Sequence, residues 1–306
     1  MTIFSPAWRP YLAGLLAALL WAGNFVVGKS ARVDFPPVTL ALARWLIALL
    51  VLTPFVYSGL RQKLAPLWHH KRTVLVLAFA GVSVTNTFVY IGLGHTSATN
   101  GVLMNAALPA WVMLISAGLG QCLLTRPNVA GLVVSLFGVW LLVGHGAGLA
   151  INPGDGWVAA GMMCWALYTV FVQRLPAGVN RFALLWLLML IGLLPLLPFA
   201  LMEGVQGQWH QVGGKGWLSV LYIAVGPSLL AMLAYDMAIK KLGAYRAGQF
   251  INLVPVFGAL LSTWWLGEHI SLLQVTALLL ILSGMVVCNL PWQQLGLQRW
   301  RVRRLA

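Results

Sequence analysis

Ten apolar stretches follow one another along the chain, near residues 11–30, 37–57, 73–93, 97–120, 128–147, 156–174, 182–202, 216–238, 245–266 and 272–290. Each is close to the ~20 residues that a helix needs to cross a bilayer. Inside lipid every backbone N–H and C=O must find a partner within the protein, which only helices and closed barrels achieve. The stretches are rich in Leu, Ala and Gly and show no sustained alternation, so they read as helices and not as the strands of an outer-membrane barrel. The connections are short, and the longest, 58–72 and 203–215, have no room for a soluble domain. The first stretch is followed by no convincing small-residue cleavage site and reads as a retained span. The expected fold is therefore an all-α polytopic membrane protein with ten transmembrane helices.

Composition agrees. Of 306 residues, 60% are hydrophobic and 8% charged, against about 25% charged in a soluble domain. The net charge of +14 would suggest nucleic acid in a soluble protein, but in a membrane protein it marks cytoplasmic loops. Fifteen of the 19 Lys and Arg residues fall on one side of an alternating topology. Three (Lys29, Arg32 and Lys215) fall on the other, and Arg44 lies inside a stretch. The asymmetry predicts cytoplasmic N- and C-termini, an even number of spans and no nucleic-acid partner. The tail LQRWRVRRLA (297–306) is basic and is expected at the membrane surface. Cys122, Cys164 and Cys288 lie in separate apolar runs with no CxxC and no histidine at ligand spacing, so no metal, disulfide framework or cofactor is expected.

The two halves resemble each other. LLWAGNFVVGK (19–29) aligns with MCWALYTVFVQ (163–173), GVSVTNTFVY (81–90) with GPSLLAMLAY (226–235), and NAALPAW (105–111) with INLVPVF (251–257), at offsets between 144 and 147. These alignments pair Trp21 with Trp165, Asn24 with Tyr168, Tyr90 with Tyr235 and Pro109 with Pro255. Five spans per repeat is an odd number, so the second repeat enters the membrane from the opposite side. That predicts two inverted five-helix repeats, residues 1–150 and 151–291, followed by a basic cytoplasmic tail, 292–306. Inverted repeats are the signature of alternating-access transporters.

Candidate chemistry sits where polar groups interrupt the apolar runs. Pro109 and Pro255 are matched helix breaks that free the carbonyls of Asn105 and Ile251. Such breaks point to a midplane site or to packing kinks, and Asn105 and Asn252 stand beside them. Asn24, Asn86, Tyr90, Tyr168 and Tyr235 would be unpaired in lipid, so they face the interior, either as interhelical bonds or as the lining of a substrate path. Trp21 and Trp165 are symmetry mates near these residues. Arg44 lies about eight residues into the second stretch, roughly 12 Å deep at about 1.5 Å per residue. Two readings are open for it: holding backbone carbonyls, or serving as counter-ion to a substrate carboxylate. Asp236 either carries protons in coupling or pairs with Lys240 one turn on. Glu268 and His269 follow a stretch end and read as solvated, and His95 and His145 as lone structural histidines.

One competing motif stands in WAGNFVVGKS (21–30), which matches the P-loop pattern G-x-x-x-x-G-K-[ST]. The preceding YLAGLLAALL is not a β-branched strand, and only ARVDF separates Ser30 from Pro36–Pro37, which leaves no room for the helix that must follow. Lys29 and Ser30 also emerge on the side without ATP. Gly23 and Gly28 read instead as small residues that allow close helix packing, and no enzyme is expected.

The second half, AYDMAIKKLGAYRAGQFINLVPVFGALLSTWWLGEHISLLQ with the glycine of ILSGMVV, resembles the EamA family of the drug/metabolite transporter superfamily. The first half repeats the pattern as YIGLGHTSATNGVLMNAALPAWVMLISAGLG, after a W-A-x-N-F-V stretch and LARWLIA. Gln121–Cys122 stand where a first-half Gly-Glu would be expected. The resemblance implies ten helices in two inverted repeats around a central cavity and export of small metabolites, such as amino acids or related compounds, without ATP. It marks Trp21, Asn24, Arg44, Pro109, Pro255 and Glu268 as family-pattern positions. The expected function is a secondary transporter of the bacterial inner membrane, with a small-molecule substrate and the lipid bilayer as partners and a homodimer compatible with the sequence. Import or exchange of another small organic solute, and a membrane enzyme, are the alternatives.

Overall fold

A computed structural model describes residues 8–121, 125–143, 152–176, 178–206, 212–242 and 250–289, which are helical with short connections and, among the described residues, contain no strand. We number the long helical rods in chain order: α1 Arg9–Ala31, α2 Pro37–Tyr57, α3 71–93, α4 Ala98–Gly118, α5 Arg126–Val143, α6 Pro153–Val172, α7 Arg181–Gln206, α8 214–242, α9 Phe250–Leu266 and α10 Leu272–Asn289. A short helical link, 60–70, precedes α3. Seven helical segments of the described residues are long and apolar enough to cross a membrane, and Arg126–Leu141, Phe250–Leu266 and Leu272–Gly284 are shorter apolar helices.

Local sequence explains where the rods begin. Proline occupies the first turn of α1, α2 and α6, where its missing N–H costs nothing. Asn152 caps α6 by accepting the Gly154 N–H at 2.9 Å, and Ser97 caps α4 by accepting the Asn100 N–H at 3.0 Å. At the far end of α9, Gly267 adopts φ +66°, and Gly120 just past α4 adopts φ +69°, left-handed conformations that glycine takes without strain.

Four rods are irregular. The middle of α3 (Ala78–Val84) and of α8 (Gly226–Leu230) is π-helical. A 3-10 turn precedes proline in α4 (Asn105–Ala107) and in α9 (Phe250–Leu253). Pro109 and Pro255 therefore each sit in the first turn of a fresh helical segment, Leu108–Gly118 and Val254–Leu266. The π-helical turns widen the backbone ladder, and hydroxyls fill the gaps: Thr85 Oγ1 donates to the Ala80 carbonyl at 2.7 Å and Ser228 Oγ to that of Ile223 at 2.9 Å.

In the packing, α1 lies against α8 and α9, α2 against α7 and α8, α3 against α6 and α7, and α4 against α6 and α9. The closest pair is α5 with α10. A methyl group on Gly284 would stand 2.4 Å from the Gly131 carbonyl oxygen, so this contact requires the absence of a side chain. Small residues dominate the core near α1, where Ala17, Ala18 and Ala22 are buried.

Candidate functional site

Four rods deliver polar side chains to one point in this apolar body. Arg44 of α2 is 5% exposed. Its Nε donates to Ser228 Oγ of α8 at 2.8 Å. Its Nη1 faces three oxygens: Asn24 Oδ1 of α1 at 2.9 Å, and Asn86 Oδ1 and Tyr90 Oη of α3 at 2.5 and 2.8 Å. Tyr90 in turn donates to Asn24 Oδ1 at 3.2 Å. Asn24, Asn86 and Tyr90 are themselves buried. Beneath the guanidinium lies the Trp45 ring, its centroid 4.7 Å from the guanidinium carbon. Every oxygen around Arg44 is neutral. Of the two readings of Arg44, the holding of backbone carbonyls is corrected, because among the described residues its hydrogen bonds go to side chains.

The cluster continues into aromatic rings. Trp21 Nε1 donates to the carbonyl of Pro227, the neighbour of Ser228, at 3.2 Å, and Trp21 meets Tyr235 edge-on at 5.2 Å between centroids. Trp165 and Tyr168 stack at 4.8 Å with 12° between their planes, and the Tyr168 ring packs so closely on Gly81 that a side chain there would meet it at 2.5 Å. The two aromatic pairs thus adjoin the π-helical turns of α8 and α3. Asn105 and Asn252 lie in the 3-10 turns. Sequence reasoning missed Ser228. The available signal was Ser83, which stands in the same column of the aligned halves and donates to the Gly192 carbonyl at 2.6 Å.

Asp236 pairs with Arg181 at 2.5 Å, where sequence spacing had suggested Lys240. The Arg181 side chain is 61% exposed, so the pair lies at the surface. Opposite that end, at the other terminus of α7, lies a set of charges aimed at helix ends. Glu203 accepts the N–H groups of Val38 and Thr39 at 3.2 and 2.7 Å, at the start of α2. Glu268 accepts those of Ala98 and Thr99, both at 2.8 Å, at the start of α4. Glu268 is therefore not simply solvated, as its position after a span end had suggested. A carboxylate at a helix N-terminus meets both orphan N–H groups and the positive end of the helix dipole.

Cations complete this face. Lys29 donates to the carbonyls of Leu93 and Thr96 at 2.7 and 2.6 Å, at the C-terminal end of α3. Arg32 Nε donates to the Tyr90 carbonyl at 2.8 Å and Nη1 to that of Phe35. Burial lowers the Arg32 guanidinium from its ordinary pKa, and the negative charge of Glu203 works against that shift. Residues 21–30 lie wholly within α1, so the P-loop pattern has no strand–loop–helix context, and its lysine closes the end of another helix. Of the pattern's glycines, Gly23 lies against the Tyr222 hydroxyl and Gly28 against the Tyr90 ring. Asp155, in the first turn of α6, accepts from Thr96 Oγ1 and, at 3.3 Å, from Asn100 Nδ2.

Comparison with known proteins places this chain among transporters. The model of the EamA-like transporter family matches residues 8–144 and again 152–290. The uncharacterized transporter YyaM of Bacillus subtilis is 25% identical over 91% of this chain and 93% of its own length. A protein of Salmonella typhimurium named "probable amino-acid metabolite efflux pump" is 26% identical over 89% of this chain and 92% of its own. The uncharacterized inner membrane transporter YedA of Escherichia coli is 27% identical, with 91% and 90% covered. One solved crystal structure, 24% identical, superposes with a TM-score of 0.58 over 94% of this chain and 98% of its own, a likeness of fold.

Proposed function

The chain belongs to the EamA-like transporter family of membrane proteins, and from that premise we propose that it exports small metabolites, amino acids or related compounds, as a secondary transporter of the bacterial inner membrane. The proposed architecture is ten spans in two inverted five-helix repeats, 1–150 and 151–291, with both termini and the basic tail in the cytoplasm. Solute passes by alternating access through the centre of the bundle. Trp21, Asn24, Arg44, Asn86, Tyr90, Trp165, Tyr168 and Tyr235 line the path, and the breaks at Pro109 and Pro255, with Asn105 and Asn252 beside them, let α4 and α9 flex.

One observation carries this reading. The buried guanidinium of Arg44 on α2 is held by side chains from α1, α3 and α8, that is, from both halves of the chain, in a largely apolar body. Intramembrane charge is costly and is retained where it meets a solute or gates a path. The matched π-helical and 3-10 turns support flexing at equivalent places in the two halves.

The relative named as an amino-acid metabolite efflux pump suggests the solute class. The test is flux of radiolabelled amino acids in proteoliposomes free of nucleotide. Saturable flux supports the reading, and flux that appears only with ATP overturns it. An efflux screen in cells overexpressing the chain then narrows the substrate.

A further inference from the structure

The chain has five Asp and Glu residues, and each has a place away from Arg44. Asp34 is exposed in a connection. Glu203 and Glu268 cap α2 and α4, Asp155 lies with Thr96 and Asn100, and Asp236 pairs with Arg181. No side-chain carboxylate of the protein therefore neutralises the buried Arg44 guanidinium. A buried charge without a countercharge costs several kcal/mol, and neutral hydrogen bonds offset only part of that.

The hydrogen bonding is also uneven. The two hydrogens of Nη1 face three oxygens, whereas Nη2 has no hydrogen-bond partner among the described residues. A planar fork with one arm oversubscribed and the other unmet is half of a bidentate anion site. Its surroundings fix the charge of the ligand. One cation and four neutral side-chain oxygens balance a single negative charge, whereas a phosphate dianion would bring an excess that no second cation meets. Trp21 and Tyr235, joined to the site through Pro227, offer an apolar wall beside the anion.

We infer that Arg44 Nη2 binds one carboxylate of the solute, so that the substrate is a small monocarboxylate and Arg44 its counter-ion. This rests on the transport reading above and narrows it. Compounds of the same shape that lack a carboxylate are then excluded, because they leave the guanidinium unpaired.

The experiment uses the purified full chain in lipid nanodiscs. Its thermal unfolding midpoint is measured with a panel of amino acids, each beside its amide, and with sodium chloride and inorganic phosphate as other anions. At least one acid is expected to raise the midpoint and its amide not to. Arg44→Gln is expected to weaken that acid by roughly thirtyfold or more, the loss seen when one partner of a buried charge pair is removed. Arg44→Lys keeps the charge and is expected to retain part of the affinity, which shows that the site and not the fold was lost.

An amide that binds as well as its acid, or Arg44→Gln binding the acid like wild type, overturns the inference. So does a chloride or phosphate effect that equals the acid's, or a wild-type chain that no acid stabilises. Flux measured in parallel separates the two readings. Equal flux of acid and amide leaves transport standing and removes the anion site. Binding of the acid with no flux of it keeps the anion site and removes transport.

Discussion

Glu268 and Thr99 meet across the two halves of the chain: the carboxylate of Glu268, just beyond α9, accepts the backbone N–H of Thr99 at 2.8 Å and its hydroxyl at 2.6 Å. Thr99 is fully buried at the start of α4, and its hydroxyl also lies 2.6 Å from Ser262 Oγ of α9. Glu203 makes the same contact with Thr39 at the start of α2, 2.7 Å to the N–H and 3.0 Å to the hydroxyl. Two acids from the second half thus hold two helix starts of the first half at one face. In the aligned first half, Gln121–Cys122 stand at the place of Gly267–Glu268, and the Gln121 amide faces the Arg174 guanidinium.

These contacts are expected to hold one face of the transporter closed. A carboxylate at a helix N-terminus contributes up to about 2 kcal/mol in a partly buried setting, enough to bias two states separated by a few kcal/mol. Glu203→Ala with Glu268→Ala is predicted to raise, by several-fold, the labelling of Ser262→Cys by a membrane-impermeant maleimide. Unchanged labelling in the double variant would remove the acids from any closing role.

Asp236 and Arg181 are expected to matter little. Their pair is at the surface, and exposed ion pairs are worth about 0–1 kcal/mol. Asp236→Asn is predicted to keep flux within about twofold of wild type, with and without an imposed proton gradient. Loss of gradient-driven flux alone would instead give Asp236 a coupling role.

The α5–α10 contact offers a test of packing. A side chain at Gly284 must push against the Gly131 carbonyl and Ser135, neither of which can move freely. Overpacking of this kind costs typically about 1–3 kcal/mol. Gly284→Val is predicted to lower the thermal midpoint in detergent, and an unchanged midpoint would show that the two helices separate without cost.

Much of the site was legible because polar residues are conspicuous in apolar runs. Asn24, Arg44, Asn86 and Tyr90 were each singled out from sequence, and the structure joins all four by hydrogen bonds. Their mutual arrangement was not legible, since it depends on which faces of α1, α2 and α3 converge. Ser228 was hidden because a serine in a helix often bonds only to its own backbone, as Ser228 also does. Arg181 as an Asp236 partner was not legible, because spacing points to a neighbour one turn away, whereas Arg181 arrives from another helix. Glu268 was read as solvated because nothing local shows that the open start of α4 lies beside it. The prolines were visible as breaks, but the 3-10 turns before them and the π-helical turns of α3 and α8 leave no distinct period in the sequence.

The account's central claim is that solute passes through the centre of the bundle, where Trp21 and Asn24 meet the Arg44 cluster. The most direct measurement is saturable flux in nucleotide-free proteoliposomes for wild type, Trp21→Ala and Asn24→Ala, with equal amounts of inserted protein verified in each. The account predicts flux by wild type and a loss of about tenfold or more in both variants, the size expected when a positioned contact worth about 1.4 kcal/mol or more is removed. Undiminished flux in both variants would contradict it.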